Sequence, residues 1–89
     1  MKNNKINKIF IANRGEVVRR IAFSAEKLGI KSVCLVERNL PQYLHNVVSE
    51  FIKVDRLSRQ MFLDPTFMIE CAKQKGCDAI HPGYGFLSE

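Results

Sequence analysis

The amino-acid sequence predicts an α/β domain in which an open parallel sheet of about four strands is flanked by helices. Two observations support this. Short apolar runs alternate along the chain with longer stretches of helical periodicity, and each helical stretch has suitable start and stop residues. Such strand–helix–strand alternation is typical of parallel sheets with helices on their faces. With 89 residues, the chain has room for one small domain.

The first strand and the first helix are predicted at residues 8–12 and 13–28. The strand is a continuous apolar run, which is typical of a strand buried on both faces. Asn13 is expected to cap the helix in a capping box with Glu16, and Gly29 is expected to end it. One apolar stripe along this helix should pack on the sheet. The stripe consists of Val17, Val18, Ile21, Ala22, Ala25 and Leu28.

The second half of the fold needs three further strands and a second helix. The strands are predicted at residues 31–36, 51–54 and 78–81. Asp64 followed by Pro65 should start the helix. Proline is suited to the first helical position, because the N–H that it lacks would have no partner within the helix there. Gly76 should end the helix. Residues 55–63 are expected to be irregular, and residues 45–50 to form one or two helical turns. The buried stripe of the second helix is Phe67, Met68, Cys71 and Ala72.

The strand order expected for this sheet is 3-2-1-4, half of a doubly wound fold. Right-handed crossovers restrict the possible orders, and this one places a switch point between the first and fourth strands. Ligands of open α/β sheets bind beyond the carboxyl ends of the strands at such a point. The segments that follow these two strands, residues 13–16 and 82–89, should therefore be neighbours and form the site.

Composition excludes several classes of function. The net charge is +5, and residues 1–33 hold eight basic and two acidic side chains. These cations are spread out and have no interleaved aromatic residues, so we expect no nucleic-acid partner. No apolar run approaches the roughly 20 residues needed to span a bilayer, so we expect no membrane partner. Three cysteines without ligand spacing indicate reduced thiols, no metal site and a cytoplasmic or mitochondrial-matrix location.

Familiar catalytic and nucleotide-binding motifs are incomplete or missing. Residues 83–88 spell G-x-G-x-x-S, but this near match to a dinucleotide fingerprint follows the wrong strand. Glu16 stands where a pyrophosphate would approach the first helix. There is no G-x-x-x-x-G-K-[ST] sequence, and His81 is better explained as a strand-end residue than as a general base. We therefore assign no catalytic residue.

Two stretches, KIFIANRGEV at residues 8–17 and IHPGYGFLSE at residues 80–89, resemble the signature stretches of a known family. That family is the N-terminal domain of biotin carboxylase, the pre-ATP-grasp domain of acetyl-CoA, propionyl-CoA, methylcrotonyl-CoA and pyruvate carboxylases. The resemblance covers residues 8–89 and implies a Rossmann-like fold of the pre-ATP-grasp type. Residues 1–7 would form a basic tail ahead of it.

The resemblance implies part of an ATP-dependent ligase. The family enzyme uses MgATP and bicarbonate to carboxylate the biotin of a carrier protein, so biotin, ATP and Mg are implied for the complete enzyme. The catalytic ATP-grasp region comes later in the family chain than Glu89. We therefore expect residues 1–89 alone to bind none of these cofactors and to be inactive. The implied partners are the remainder of a biotin carboxylase, or an intact carboxylase subunit, and the biotin carrier protein.

The resemblance also implies roles for individual positions. Gly83, Tyr84 and Gly85 match the turn that borders the cleft near the biotin ring and are the candidate substrate-binding residues. The turn beside it gives the candidate cleft-lining residues, Asn13, Arg14, Gly15 and Glu16. The family's first helix contributes to a homodimer interface, and the candidate interface residues are Arg19, Phe23 and Lys27.

Two other functions remain open at this point. The chain could be a decayed or split-gene fragment that acts as an interaction module, docking on an intact carboxylase subunit through the helix face around Phe23. It could also be a free-standing mononucleotide-binding module. No phosphate cradle is visible in the sequence, so we expect any binding of ATP or ADP to be no tighter than roughly millimolar.

Overall fold

A computed structural model describes residues 6–38 and 46–83 and shows within them a parallel sheet with helices on both faces. The strands are β1 (Lys8–Ile11), β2 (Lys31–Glu37), β3 (Glu50–Val54) and β4 (Ala79–His81). The helices are α1 (Glu16–Lys27), α2 (Arg59–Phe62) and α3 (Pro65–Gln74). The sheet order is β3-β2-β1-β4, which confirms the predicted order.

The central strand β1 separates two apolar clusters because its side chains alternate between the faces of the sheet. Phe10 is paired in register with Val33 and Ile80, and its side chain lies on the face covered by α2 and α3. Ile11 points to the face covered by α1. The cluster under α1 consists of Ile11, Val18, Ala22, Cys34, Val36 and Val48. The opposite cluster consists of Phe10, Ala12, Val33, Leu35, Phe62, Met68, Cys71 and Ala72.

The predicted start of α1 is wrong. The helix begins at Glu16 with Gly15 as its N-cap, and no side chain caps it. Asn13 lies two residues before the cap, and its side chain bonds to the opposite loop instead. The predicted end is confirmed, since Gly29 adopts a φ of 75°. The amides of Gly29 and Ile30 donate to the carbonyls of Glu26 and Ala25, the pattern of a Schellman motif.

Three other local expectations are also wrong. Leu28 is the C-cap of α1 and is 74% exposed, because helical periodicity no longer sets the direction of a residue at the helix end. The region 55–63 contains the short helix α2, whose N-cap Ser58 accepts a hydrogen bond from the Met61 amide. Of the helical turns expected over 45–50, residues 46 and 47 form a turn and Glu50 already belongs to β3. Residue 45 lies outside the described residues.

The second predicted helix is α3, and it begins and ends where the sequence predicts. The Asp64 carboxylate accepts a hydrogen bond from the Phe67 amide at 3.1 Å, and Pro65 is the first residue of α3. Gly76 has a φ of 67° just beyond the C-cap. Within the described residues, no helix has the length and apolar content that crossing a bilayer requires.

Charged contacts fasten the amino ends of the strands, at the edge of the sheet opposite the candidate site. Lys8 Nζ lies 2.8 Å from Glu50 Oε2, and this pair lowers the pKa of Glu50 and raises the pKa of Lys8. The Asp78 carboxylate accepts hydrogen bonds from the amides of Asn7 and Lys8. These bonds tie the start of β1 to the start of β4, so the two strands leave this edge in a fixed register.

Candidate functional site

The loops that leave β1 and β4 meet at the carboxyl edge of the sheet. The Ala12 amide donates to the His81 carbonyl at 2.9 Å, which extends the β1–β4 ladder by one bond. One residue further along each loop, Asn13 Nδ2 donates to the Pro82 carbonyl at 2.7 Å. The structure therefore shows the neighbourhood that the strand order predicts.

Asn13 is buried between the two loops rather than pointing into open solvent. Only 3% of the surface of Asn13 is exposed to solvent. Its Oδ1 accepts a hydrogen bond from the Arg14 amide at 2.8 Å, while its Nδ2 donates to Pro82. Because one end of the amide accepts and the other donates, the side chain has one satisfied orientation. A buried amide in this position must be paired, and both of its ends are.

Gly83 packs closely against the start of α1. Its φ is 68°, a left-handed conformation that favours glycine. A Cβ at this position would lie 2.8 Å from Val17 Cγ1 and 3.0 Å from Asn13 Nδ2. The Gly83 amide donates to His81 Nδ1 at 3.0 Å, which closes a short turn over Pro82. A left-handed backbone and the lack of space for a side chain each require glycine here.

The other predicted cleft-lining residues lie at the surface of the same edge. Arg14 is exposed, and Gly15 has a φ of 77°. Glu16 is also exposed, and its carboxylate lies 3.1 Å from Arg19 Nη1. The acidic side chain thus stands in the first turn of α1, where it competes with any anion for the positive end of the helix. Tyr84 and Gly85, the remaining candidates, lie outside the described residues.

Sequence analysis missed an apolar groove that runs between α1 and β4. One part is a cavity of about 370 Å³ whose apolar lining includes Ile9, Ile21, Ala25, Leu28 and Ile30. An adjoining cavity of about 210 Å³ is lined by Val17, Arg20, Ile21, His81 and Gly83. The two share Arg20, Ile21 and His81, so the groove ends at the site. The sequence feature that could have predicted this groove is the number of apolar residues in and after α1. The fourth strand has only three residues and is too short to cover them all.

The three candidate interface residues share one outer face of α1. Arg19, Phe23 and Lys27 are spaced four residues apart, which places them along one side of a helix. Phe23 is 52% exposed. The Lys27 ammonium lies 4.7 Å from the centre of its ring, a cation–π contact. The structure therefore presents a large aromatic side chain to solvent within a charged surface.

The three cysteines are not activated as nucleophiles. Burial raises the pKa of the Cys34 thiol to about 12. Burial also raises the pKa values of Cys71 and Cys77, so all three thiols stay protonated and unreactive near neutral pH. Within residues 6–38 and 46–83, no three His, Cys, Asp or Glu side chains are grouped closely enough to hold a metal ion. What the site offers is an edge at which hydrogen bonds and close packing join the two loops.

The family model and the similar proteins all identify the same family. The chain matches the model of the family described as "Biotin carboxylase, N-terminal domain" over residues 5–89. It is 40% identical to biotin carboxylase 1 of Bacillus subtilis over 86 residues, which are 94% of this chain and 19% of that protein. It is 39% identical to the mitochondrial methylcrotonoyl-CoA carboxylase subunit alpha of Arabidopsis thaliana, covering 99% of this chain and 12% of that protein.

Solved structures agree with the sequence comparisons. One is the biotin carboxylase domain dimer of Hydrogenobacter thermophilus 2-oxoglutarate carboxylase, in complex with MgADP, ADP and bicarbonate. It superposes on this chain with a TM-score of 0.82 at 27% identity, and the match covers 97% of this chain and 19% of that one. Rhizobium etli pyruvate carboxylase with acetyl coenzyme A gives a TM-score of 0.78 at 36% identity, covering 93% and 9%. The chain thus spans less than a fifth of the length of these relatives.

Proposed function

The chain belongs to the biotin carboxylase N-terminal domain family, and from this premise we propose that it forms one wall of the cleft in which a complete enzyme carboxylates carrier-bound biotin with ATP and bicarbonate. The observation that carries the proposal is the contact between the loops after β1 and β4, through Asn13 and Pro82. It builds a fixed edge at the switch point of the sheet, where α/β folds bind ligands. We place the domain at residues 8–89, preceded by a basic tail at residues 1–7.

The roles of single residues within this proposal follow from their positions. Gly83 is the first residue of the segment that would bind the biotin ring. Tyr84 and Gly85, the other proposed substrate-binding residues, follow it in the sequence. Arg14 and Glu16 present charged side chains at the same edge, where they would line the cleft. A biotin ring has polar edges and an apolar body. An aromatic residue with glycine on both sides in the sequence, together with charged side chains from the other loop, would suit such a ligand.

The apolar groove supports a larger assembly. Contiguous apolar surface left in water marks a site where another protein surface packs. The groove runs from Leu28 to Gly83 and so borders the proposed cleft. We therefore assign it to contact with the remainder of a biotin carboxylase, which the length of the relatives supports. A biotin carrier protein would be a partner of that complete enzyme.

ATP and Mg would be held elsewhere in that enzyme. Phosphate groups bind at helix N-termini whose free amides and positive dipole face the ligand. In α1 that position carries Glu16, whose carboxylate opposes a phosphate. The described residues also lack a cluster of metal-ligating side chains. We therefore derive no nucleotide-dependent step from this domain.

A chimeric enzyme tests the proposed function. Residues 1–89 replace the matching segment of Bacillus subtilis biotin carboxylase 1, to which the chain is 40% identical. We expect biotin-dependent ATP cleavage by the chimera in the presence of bicarbonate, and none by the isolated 89-residue chain. The unmodified Bacillus enzyme and a version without this segment are the controls. A soluble chimera with no activity, or ATP cleavage by the isolated chain, would contradict the proposal.

One observation favours a second candidate function, docking on an intact carboxylase subunit. Phe23 is half exposed within a charged helix face, and aromatic residues in such surroundings are frequent anchors of protein interfaces. If the chain docks through this face, Phe23→Glu should raise the Kd at least about tenfold by titration calorimetry. Gln74→Glu, which adds the same charge on the exposed side of α3, should leave the Kd unchanged. The absence of binding at micromolar concentration would exclude this function.

A further inference from the structure

The buried amide of Asn13 connects the two loops of the site, and this connection suggests a role beyond lining a cleft. We propose that Asn13 is a positioning residue, whose amide fixes the direction in which the chain leaves β4 through Pro82 and Gly83, at the edge of the proposed biotin cleft. This inference rests on the proposed function of the domain. It concerns a residue that does not itself reach the ligand, since Asn13 is enclosed between the loops.

Two constraints act on the backbone of Pro82. The pyrrolidine ring already fixes the φ of this residue. Its carbonyl oxygen is held by Asn13 Nδ2 at 2.7 Å, which fixes the orientation of the following peptide plane. Both backbone torsions of Pro82 are thereby determined. The residue after Pro82 can then leave the sheet in only one direction.

Gly83 is constrained from two sides. The position of a Cβ on this residue lies 3.0 Å from Asn13 Nδ2 and 2.8 Å from Val17 Cγ1. On the other side, the Gly83 amide is bonded to His81 Nδ1. Asn13 therefore holds the Pro82 carbonyl and also occupies the space that a side chain at position 83 would need. Without its amide, the turn loses the hydrogen bond that ties Pro82 to the loop after β1, and the bond between Ala12 and His81 remains.

Only an amide side chain makes both hydrogen bonds of Asn13. Oδ1 of Asn13 accepts from the Arg14 amide at 2.8 Å, and this bond turns Nδ2 towards Pro82. An aspartate would keep the acceptor but lose the donor, and its second oxygen would face the Pro82 carbonyl. An alanine would lose both bonds. The substitution Asn13→Asp therefore removes the donor while keeping the shape and the bond to Arg14.

The test uses the chimeric enzyme described above, with free biotin as the varied substrate. For Asn13→Asp we expect kcat/KM for biotin to fall about tenfold or more, with the KM for ATP unchanged within about twofold. Ser32→Ala is the matched control. The Ser32 hydroxyl is buried and accepts from the Ser49 amide at 3.3 Å, at the start of β2 and away from the site. It should lower stability without changing the kinetics with biotin.

The outcomes separate the inference from the proposed function. An inactive unmodified chimera shows that the proposed function is wrong. An active chimera in which Asn13→Asp leaves kcat/KM for biotin unchanged, or changes the kinetics with biotin and ATP equally, shows that the inference is wrong. If the variant chimera does not fold, amide hydrogen exchange in the 89-residue chain decides. Asn13→Asp should then speed exchange at Gly83 several-fold more than at Val33, and equal rates overturn the inference.

Discussion

Replacing Phe62 with alanine is expected to lower the free energy of unfolding of this domain by about 3–5 kcal/mol. Phe62 is fully buried in the apolar cluster on the α3 side of the sheet, where it packs with Phe10 and Met68. A domain of this size has only about 5–10 kcal/mol of stability, because its buried surface is small. The loss would therefore remove a large part of the total. Urea denaturation followed by circular dichroism measures it.

The next residue provides a matched control for Phe62. Leu63 is 41% exposed and lies outside the buried clusters. Leu63→Ala should lower the unfolding free energy by less than about 1 kcal/mol, since surface substitutions have small effects. Phe62→Leu, which keeps most of the volume, should lie between the two alanine variants. Equal effects of Phe62→Ala and Leu63→Ala would show that Phe62 does not belong to the core.

The importance of Phe62 could not be predicted, because α2 gives no usable signal in the sequence. A helix of four residues is too short to show apolar periodicity. Its capping box is formed by Ser58 and Met61, whose sulfur accepts a hydrogen bond from the Ser58 amide. The recognisable pattern has Glu or Gln in the place of Met61. Residues 55–63 were therefore expected to be irregular.

The sequence predicts those helices and strands whose position is determined by neighbouring residues in the chain. The run at residues 8–12 is apolar throughout because β1 lies in the middle of the sheet and is covered on both faces. Asp64 and Pro65 start α3 through contacts within one helical turn. With the strands identified, right-handed crossovers restrict the possible orders, and the expected order 3-2-1-4 implies that the loops after β1 and β4 are neighbours.

The start of α1 shows where local rules fail. Asparagine is a favoured N-cap, and Asn13 stands at the right distance from Glu16 for a capping box. The structure pairs the Asn13 amide with the Pro82 carbonyl, 69 residues away in sequence. A bond across such a distance exists only after β1 and β4 have paired. No sequence pattern around residue 13 reveals this bond. The groove between α1 and β4 is equally hidden in the sequence, because it depends on which apolar side chains the folded domain leaves exposed.

The tight contact at Gly83 leads to the second large prediction, made for Gly83→Ala. The variant should lower the unfolding free energy by about 2–4 kcal/mol, the sum of a left-handed alanine and of overpacking against α1. The new Cβ would lie 2.8 Å from Val17 Cγ1, so something must shift, and a valine in a helix has one strongly preferred side-chain rotamer. If the turn moves instead, the bond between Asn13 and Pro82 breaks. Either response changes the edge that forms the proposed site.

Gly29 separates the two causes of the Gly83 effect. It has a φ of 75°, close to that of Gly83, but a Cβ there would meet no atom within 4 Å. Gly29→Ala should therefore cost only the backbone strain, about 1–2 kcal/mol. Val17→Ala removes the methyl group that Gly83→Ala would strike, so in a double-mutant cycle the pair should show a favourable coupling of about 1 kcal/mol or more. Equal losses for Gly83→Ala and Gly29→Ala, with no coupling to Val17, would mean that the turn after β4 is not held against α1 and that the edge of the proposed cleft is not rigid.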